Sequence, residues 1–256
     1  MNNNNGRLTG IGPVIRAPQA PVLPLHHSRH VLTMLMVSTN NGKINSVRVF
    51  FFLFFLSIVF YFFPVSSYAA TIIQVPFTAQ APYGNWAEPW QDFCEEASVV
   101  MSAHFLWNAP LTPKLADTEM QLIKQYEQVV FKKYNDTSAA QTASILKNLY
   151  GFKNIETRRV ESASAITNEL SQGKIILVPA AGRMLQNPYF KAPGPLYHMI
   201  VIRGFDDAKH TFITNDPGTR KGNGYEYDQE LLFRAIHDWN EENVMRGEKN
   251  VIIITK

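Results

Sequence analysis

Acidic residues are missing from the first third of this 256-residue chain, where none of its 21 Asp and Glu side chains precedes Glu88. Five of its 24 basic residues (Arg7, Arg16, Arg29, Lys43 and Arg48) lie in that stretch. A product beginning at Ala70 would carry 19 basic and 21 acidic side chains, formally −2, so the +3 of the whole chain belongs to its beginning. The basic isoelectric point is therefore no nucleic-acid footprint. Neither a basic patch nor a nucleic-acid motif accompanies it, and no nucleic-acid partner is expected. Cysteine is nearly absent as well: Cys94 stands alone, which excludes an intramolecular disulfide. One cysteine and scattered histidines offer no metal-ligand spacing, so neither a metal nor a cofactor is expected.

Residues 49–63 are a Phe/Leu/Val/Ile run interrupted only by Ser57 and Tyr61. Lys43 and Arg48 precede it and the sequence PVSSYAA comes after it at 64–70. A basic segment, a short apolar run and small residues form a secretory signal, here with cleavage after Ala69. The run is shorter than the ~20 residues of a typical membrane span. An uncleaved anchor touching the membrane through 49–63 is the rival reading, and in both cases residues 70–256 are exported. The product would be secreted or anchored outside the cytoplasm. Residues 1–35 have no periodicity, and Met36 or Met34 gives an ordinary signal start, so 1–48 reads as a mis-assigned or disordered beginning plus the basic segment. His26, His27 and His30 fall there and are not taken as a metal site. In an exported region at 70–256, a lone thiol is either reactive, paired between molecules, or a buried structural residue.

Residues 70–256 read as one domain. A strand is expected at 71–77 and a turn-rich loop at 81–90. Asp92 and Glu95 have capping-box spacing, which predicts a helix from Asp92 with Cys94, Ala97, Ser98 and Met101 on one face. Further helices are expected near 115–131, 137–150, 162–172 and 229–240. Strands are expected at 174–179, 198–204, 211–215 and 250–255. Helices first and strands afterwards imply an α+β fold.

A thiol near a helix N-terminus is held closer to its ionised form by the helix dipole. Glu95 and Glu96 oppose that. A thiolate nucleophile needs a base, usually His, and the base an orienting group. His104 lies along the same helix as Cys94, His210 in a polar loop and His237 in a helix. His198 opens an apolar strand, where a polar ring is otherwise out of place. A hairpin loop of three or five residues after that strand puts Asp216 opposite Ile200. It then shares a face with His198, about 7–8 Å away between backbones. An even loop favours Asn215, and a plain turn residue before Pro217-Gly218 is the bland reading of Asp216.

Residues 73–256 resemble the bacteriocin-processing-peptidase-like (double-glycine-peptidase-like) family of papain-like cysteine peptidases. The motifs are VPFTAQ at 75–80, DFCEEAS at 92–98, YHMIVIRGFD at 197–206 and NDPGT at 215–219, with AIHDW at 235–239 as a further likeness. The resemblance implies a papain-like fold in which a helix carrying Cys94 lies on an antiparallel sheet carrying His198 and Asp216. It implies Cys94 as nucleophile, His198 as base then acid, Asp216 as orienting acid, a glutamine as oxyanion donor, and a peptide or protein substrate. Gln80 fits by motif, although it lies 14 residues before Cys94; Gln91 is the alternative. Glu95 departs from the glycine that many relatives carry after the cysteine. Two rival readings are a catalytically silent peptide-binding surface domain and a cell-wall peptide amidase or transferase on the same site. Trp86, Trp90, Tyr189 and Tyr197 are candidates to line the cleft.

Overall fold

The computed structural model describes residues 70–241 and 243–256. The apolar run, the cleavage position and the alternative starts lie outside the described residues. Strand β1 (Thr71–Ile72) leads through a long loop and one 3-10 turn (Trp90–Asp92) into helix α1 (Cys94–Trp107). Helices α2 (Pro113–Val130) and α3 (Ala139–Asn148) come next, then strand β2 (Ile155–Arg159), helix α4 (Ala163–Ser171) and strand β3 (Ile175–Ala181). The remainder is β4 (Tyr197–Asp206), β5 (Thr211–Asn215), β6 (Asn223–Asp228), α5 (Gln229–Ala235) and β7 (Asn250–Ile254). The sheet order is β2-β7-β3-β4-β5-β6, with β1 paired to the far end of β4. Every pairing is antiparallel. Helices segregate before most of the strands, and the fold is α+β.

Both faces of the central strands are covered, so every residue of β3 is buried. Met199, Val201, Leu177 and Ile252 belong to the core built with α1, α2 and α3. Ile200, Ile202, Val178 and Ile253 belong to the opposite core with Ile166 and Leu170 of α4 and Leu232 and Ala235 of α5. This alternation is the period-2 consequence of a sheet between two layers. α1 is buried on all sides from Cys94 to Phe105 and has no polar face. That is why its apolar residues do not settle on the single stripe expected from the sequence. The flanking helices begin on side-chain caps, at Thr112 for α2 and in a Ser138–Gln141 capping box for α3. Each cap satisfies amide groups that the first turn leaves unpaired.

Three expectations are corrected. Asp92 does not cap α1; it sits in the 3-10 turn, the N-cap position is Phe93, and no side chain caps that end. The strand expected at 71–77 shortens to two residues. The last helix stops at Ala235, because Ile236 bridges to Ala180 and the His237 N–H donates to Pro179 O at 3.1 Å. The AIHDW segment thus becomes a strap bridged to the C-terminal end of β3. Asp238 Oδ1 accepts from Ala139 N at 2.7 Å, and Trp239 lies edge-on to Tyr197 with centroids 5.2 Å apart.

One buried feature should tie stability to pH. Glu96 of α1 and Glu127 of α2 are fully buried with their carboxyls hydrogen-bonded to each other, and no other side chain among the described residues satisfies them. Burial and the neighbouring acids push Glu127 to about 9 and Glu96 well above its ordinary value. Both groups therefore bind protons in the folded chain that they release on unfolding. Stability is fully present below the ordinary carboxylate value and declines as pH rises from there toward 9. Glu127→Gln should flatten this dependence by on the order of a few kcal/mol between pH 5 and pH 8. Thermal melts at the two pH values check it, and equal slopes in both proteins would contradict it.

Candidate active site

Cys94 is the first residue of α1, with its N–H at the unpaired end of the helix and Phe93 O accepting from Ala97 N. The thiol is buried, and Sγ donates to Glu95 Oε2 at 2.8 Å. Glu95 is itself 2% exposed, and its Oε1 accepts from Thr137 N at 2.9 Å. Burial comes first among the forces that push the Cys94 thiol up, followed by the Glu95 and Glu96 charges; the Met199 backbone opposes them. Burial also pushes Glu95 up to about 7, with Asp136 adding to it and the Cys94 and Thr137 hydrogen bonds opposing. The depressed thiol expected from the helix dipole is not what this arrangement produces, since desolvation and two acids outweigh one helix end.

His198 and Asp216 meet by a route the sequence did not anticipate. Asp206 pairs with Thr211, which leaves a four-residue loop, an even number that would put Asp216 and His198 on opposite faces. Arg203 forms a bulge between the Ile202 and Gly204 pairs, and beyond it Val201 faces Asn215. One extra residue on β4 shifts the register by one and restores the shared face. His198 Nε2 and Asp216 Oδ1 are 2.7 Å apart, with both side chains buried. Asn215 turns the other way. Its Oδ1 accepts from Arg203 Nε at 2.8 Å, and its Nδ2 donates to Val75 O and Pro76 O.

Three other donors hold the Asp216 carboxylate. Gly218 N reaches Oδ1 at 2.9 Å, while Tyr227 OH and Asn187 Nδ2 reach Oδ2 at 2.5 and 3.0 Å. Asn187 Nδ2 also donates to Tyr227 OH at 2.7 Å. Burial alone would raise the Asp216 value, but His198, Tyr227 and Gly218 outweigh it and hold the carboxyl below the usual carboxylate range. Tyr227 and Asn187 could not be singled out from the sequence, since neither lies in a recognisable motif and only the fold brings them to Asp216. The bond to Asp216 takes Nε2 and leaves Nδ1 as the nitrogen available to a thiol. Phe190 stands edge-on to the imidazole with centroids 5.2 Å apart.

Cys94, His198, Gln80 and Gln91 line one cleft of about 900 Å³. Trp86, Tyr189 and Tyr197 line it too. Trp90 does not; its Nε1 donates to Asp117 Oδ1 at 2.7 Å and its ring lies against the helical core. Among the described residues no hydrogen bond joins Cys94 to His198, because the thiol is turned to Glu95. Gln80 is 4% exposed and its Nε2 donates to Trp90 O at 3.0 Å and Gln91 O at 2.6 Å. Its Oε1 is buried without a partner. Gln91 is exposed and donates to Glu88. The Gln80 amide presents no free donor to the cleft in this arrangement. No group of described residues could hold a metal ion.

Gly218 marks how closely the loop after β5 approaches the imidazole. A Cβ at that position would lie 2.8 Å from His198 Cε1 and 2.9 Å from Phe190 Cε1. Gly218→Ala should therefore displace the ring, at a cost of about 1–3 kcal/mol in stability and roughly 10²-fold in turnover. Turnover and melting of the variant check this, and wild-type turnover would show that the ring position is not limiting.

The Peptidase_C39 like family model matches residues 72–243. Among solved structures, one from Bacillus anthracis, described as a candidate C39-like peptidase, aligns over 73% of this chain and 98% of its own at 14% identity and a TM-score of 0.49. No curated protein sequence matches significantly. With the family model covering most of the chain, and with the cysteine helix lying on an antiparallel sheet that carries His198 and Asp216, the chain belongs to the Peptidase_C39 like family of papain-like cysteine peptidases.

Proposed function

We propose that the protein is an exported cysteine peptidase that cleaves peptide bonds through Cys94, His198 and Asp216. The observation that carries this reading is the buried 2.7 Å pair of His198 and Asp216 opening onto the same cleft as a cysteine at a helix N-terminus. In the proposed cycle the thiol leaves Glu95 and gives its proton to His198 Nδ1. The thiolate attacks the scissile carbonyl, and His198 returns the proton to the leaving amine. Water then releases the acyl group with His198 as base. Asp216 fixes the tautomer and stabilises the imidazolium. The Cys94 N–H is one oxyanion donor. Gln80 becomes the second when an incoming carbonyl draws its amide away from the 90–91 carbonyls.

Residues 70–256 form the catalytic domain in this reading, and 49–69 act as the signal or anchor that takes it out of the cytoplasm. No described helix is long and apolar enough to cross a membrane. Peptide hydrolysis by the wild type against Cys94→Ser, with acyl transfer to an added amine measured in parallel, tests the proposal. Hydrolysis lost in the variant supports it. Transfer without hydrolysis would make the protein a transferase, and peptide binding with neither activity a silent binding domain.

A further inference from the structure

The cysteine-peptidase reading leaves one buried group beside the nucleophile without a task. Glu95 Oε1 already satisfies Thr137 N, which is all that holding the segment before α3 requires. Its other oxygen, Oε2, is the atom that receives the Cys94 thiol at 2.8 Å. A carboxylate there disfavours a thiolate, whereas a protonated carboxyl can donate to one. The same side chain can thus hold the sulfur in either of two states.

The surroundings decide which state of Glu95 is favoured. On its own helix it faces Cys94 and Glu96, and from α2 it faces Glu127. Asp136, in the segment before α3, and Tyr197 of β4 complete the set. Asp136 also acts on Asp92 in the 3-10 turn, and Lys133 partly offsets the burial of Asp136. His198 is across the cleft, with Lys191, Arg220 and Lys221 on the wall beyond. The groups acting on Glu95 from its own side are acids or proton carriers, and with burial they bring its carboxyl up to about 7, where both forms are populated near neutrality.

We propose that Glu95 is a catalytic residue of this site, resting on the cysteine-peptidase reading: its carboxyl shares a proton with Cys94, holding the thiol in reserve when ionised and donating to the thiolate when protonated. In the active form the S–H bond is broken, that proton is on His198 Nδ1, and the Glu95 O–H donates to sulfur. When Glu95 gives its proton to solvent, the proton on His198 returns to sulfur and the new S–H donates to the carboxylate. One proton is lost to solvent and the thiolate disappears. The active ion pair therefore carries one proton more than a Cys–His pair alone, and raising the pH switches it off.

The test is the rate of iodoacetamide alkylation from pH 5 to pH 9, read by intact mass, since Cys94 is the chain's only cysteine. Wild-type reactivity should fall roughly tenfold from pH 6 to pH 8, whereas an ordinary thiol rises about tenfold per unit over that range. Glu95→Gln keeps an acceptor for Thr137 N but cannot ionise. It should lose the fall and react at least about tenfold faster than wild type at pH 8. Superimposable profiles of the two proteins would overturn the role of Glu95 while leaving the peptidase reading intact. An ordinary thiol profile in wild type, unchanged by His198→Ala, would overturn both. Should Glu95→Gln not fold, the ultraviolet thiolate band of wild type against Cys94→Ser decides: it should weaken as pH rises through neutrality, and a steady increase would overturn the proposal.

Discussion

Replacing Asp216 is expected to damage both stability and turnover. The carboxylate is fully buried and accepts from His198 Nε2, Gly218 N, Tyr227 OH and Asn187 Nδ2. Asp216→Ala leaves those donors aimed at an empty volume. Removing one partner of a buried charged pair costs about 3–5 kcal/mol, a large share of a typical domain's 5–15 kcal/mol. Asp216→Asn refills the volume, but its NH₂ group faces donors where a carboxylate oxygen accepted, and the imidazole loses its negative partner. Turnover should fall by roughly 10⁴-fold in the folded protein, as expected when the tautomer of a catalytic histidine is no longer fixed. Chemical denaturation of the alanine variant and kcat of the asparagine variant check the two effects. Since its carboxyl is held below the ordinary value, Asp216 stabilises the fold above about pH 4 and loses that contribution as pH falls through its depressed value, on the acid side. Glu96 and Glu127 act in the opposite direction, so maximal stability is expected in mildly acid solution.

Gln80→Ala is expected to lower kcat by about 10²–10³-fold with little change in KM, the signature of a donor used only by the transition state. The present geometry sharpens this expectation, because both hydrogens of the amide are engaged by Trp90 O and Gln91 O. Their release has to accompany substrate binding. The buried and unpartnered Oε1 makes the resting position less favourable than a fully satisfied amide would be. Gln91→Ala, at an exposed position bonded to Glu88, should leave kcat near wild type. The reverse outcome in the pair of variants would move the oxyanion role to Gln91.

Much of the fold could be read from periodicity. The apolar runs at 174–179, 198–204 and 250–255 became β3, β4 and β7, the strands covered on both faces. Strands with little to bury escaped notice. β2 buries only Ile155, and β6, with Asn223 and Gly224 at its start, buries only Tyr227. The shared face of His198 and Asp216 was legible as a condition on loop parity, yet it was met by a bulge. That bulge sits next to the point where β1 pairs with β4: a Cβ on Gly204 would collide with Thr71 O, so the backbones approach only because Gly204 lacks one. Such a close approach between residues 133 positions apart leaves no local mark in the sequence.

The misread cap has a similar origin. Asp92 and Glu95 have the right spacing, but Glu95 is drawn to Thr137 N and Cys94 Sγ, contacts that exist only once α3 and the cleft have formed. Capping logic is local, and here a tertiary acceptor role prevails over it. The proposed nucleophile stands out as the only cysteine, and its proposed base as the histidine in an apolar strand. Tyr227 and Asn187, which hold Asp216, do not stand out, and Glu95 does so only as a departure from the family pattern, because nothing in residue spacing says which side chains the fold will turn inward.

Peptidase chemistry at this site requires Cys94 and His198 to act as a pair, and the most direct measurement is the alkylation rate of Cys94 at pH 6 in wild type and in His198→Ala. A free thiol with an ordinary value near 8.5 is only about 0.3% ionised at that pH and reacts slowly. Wild-type labelling faster than such a thiol by about 10-fold or more, falling to the ordinary rate in His198→Ala, is the result expected of a paired thiolate. Equal, slow labelling of both proteins would make Cys94 a buried structural thiol and contradict the pairing.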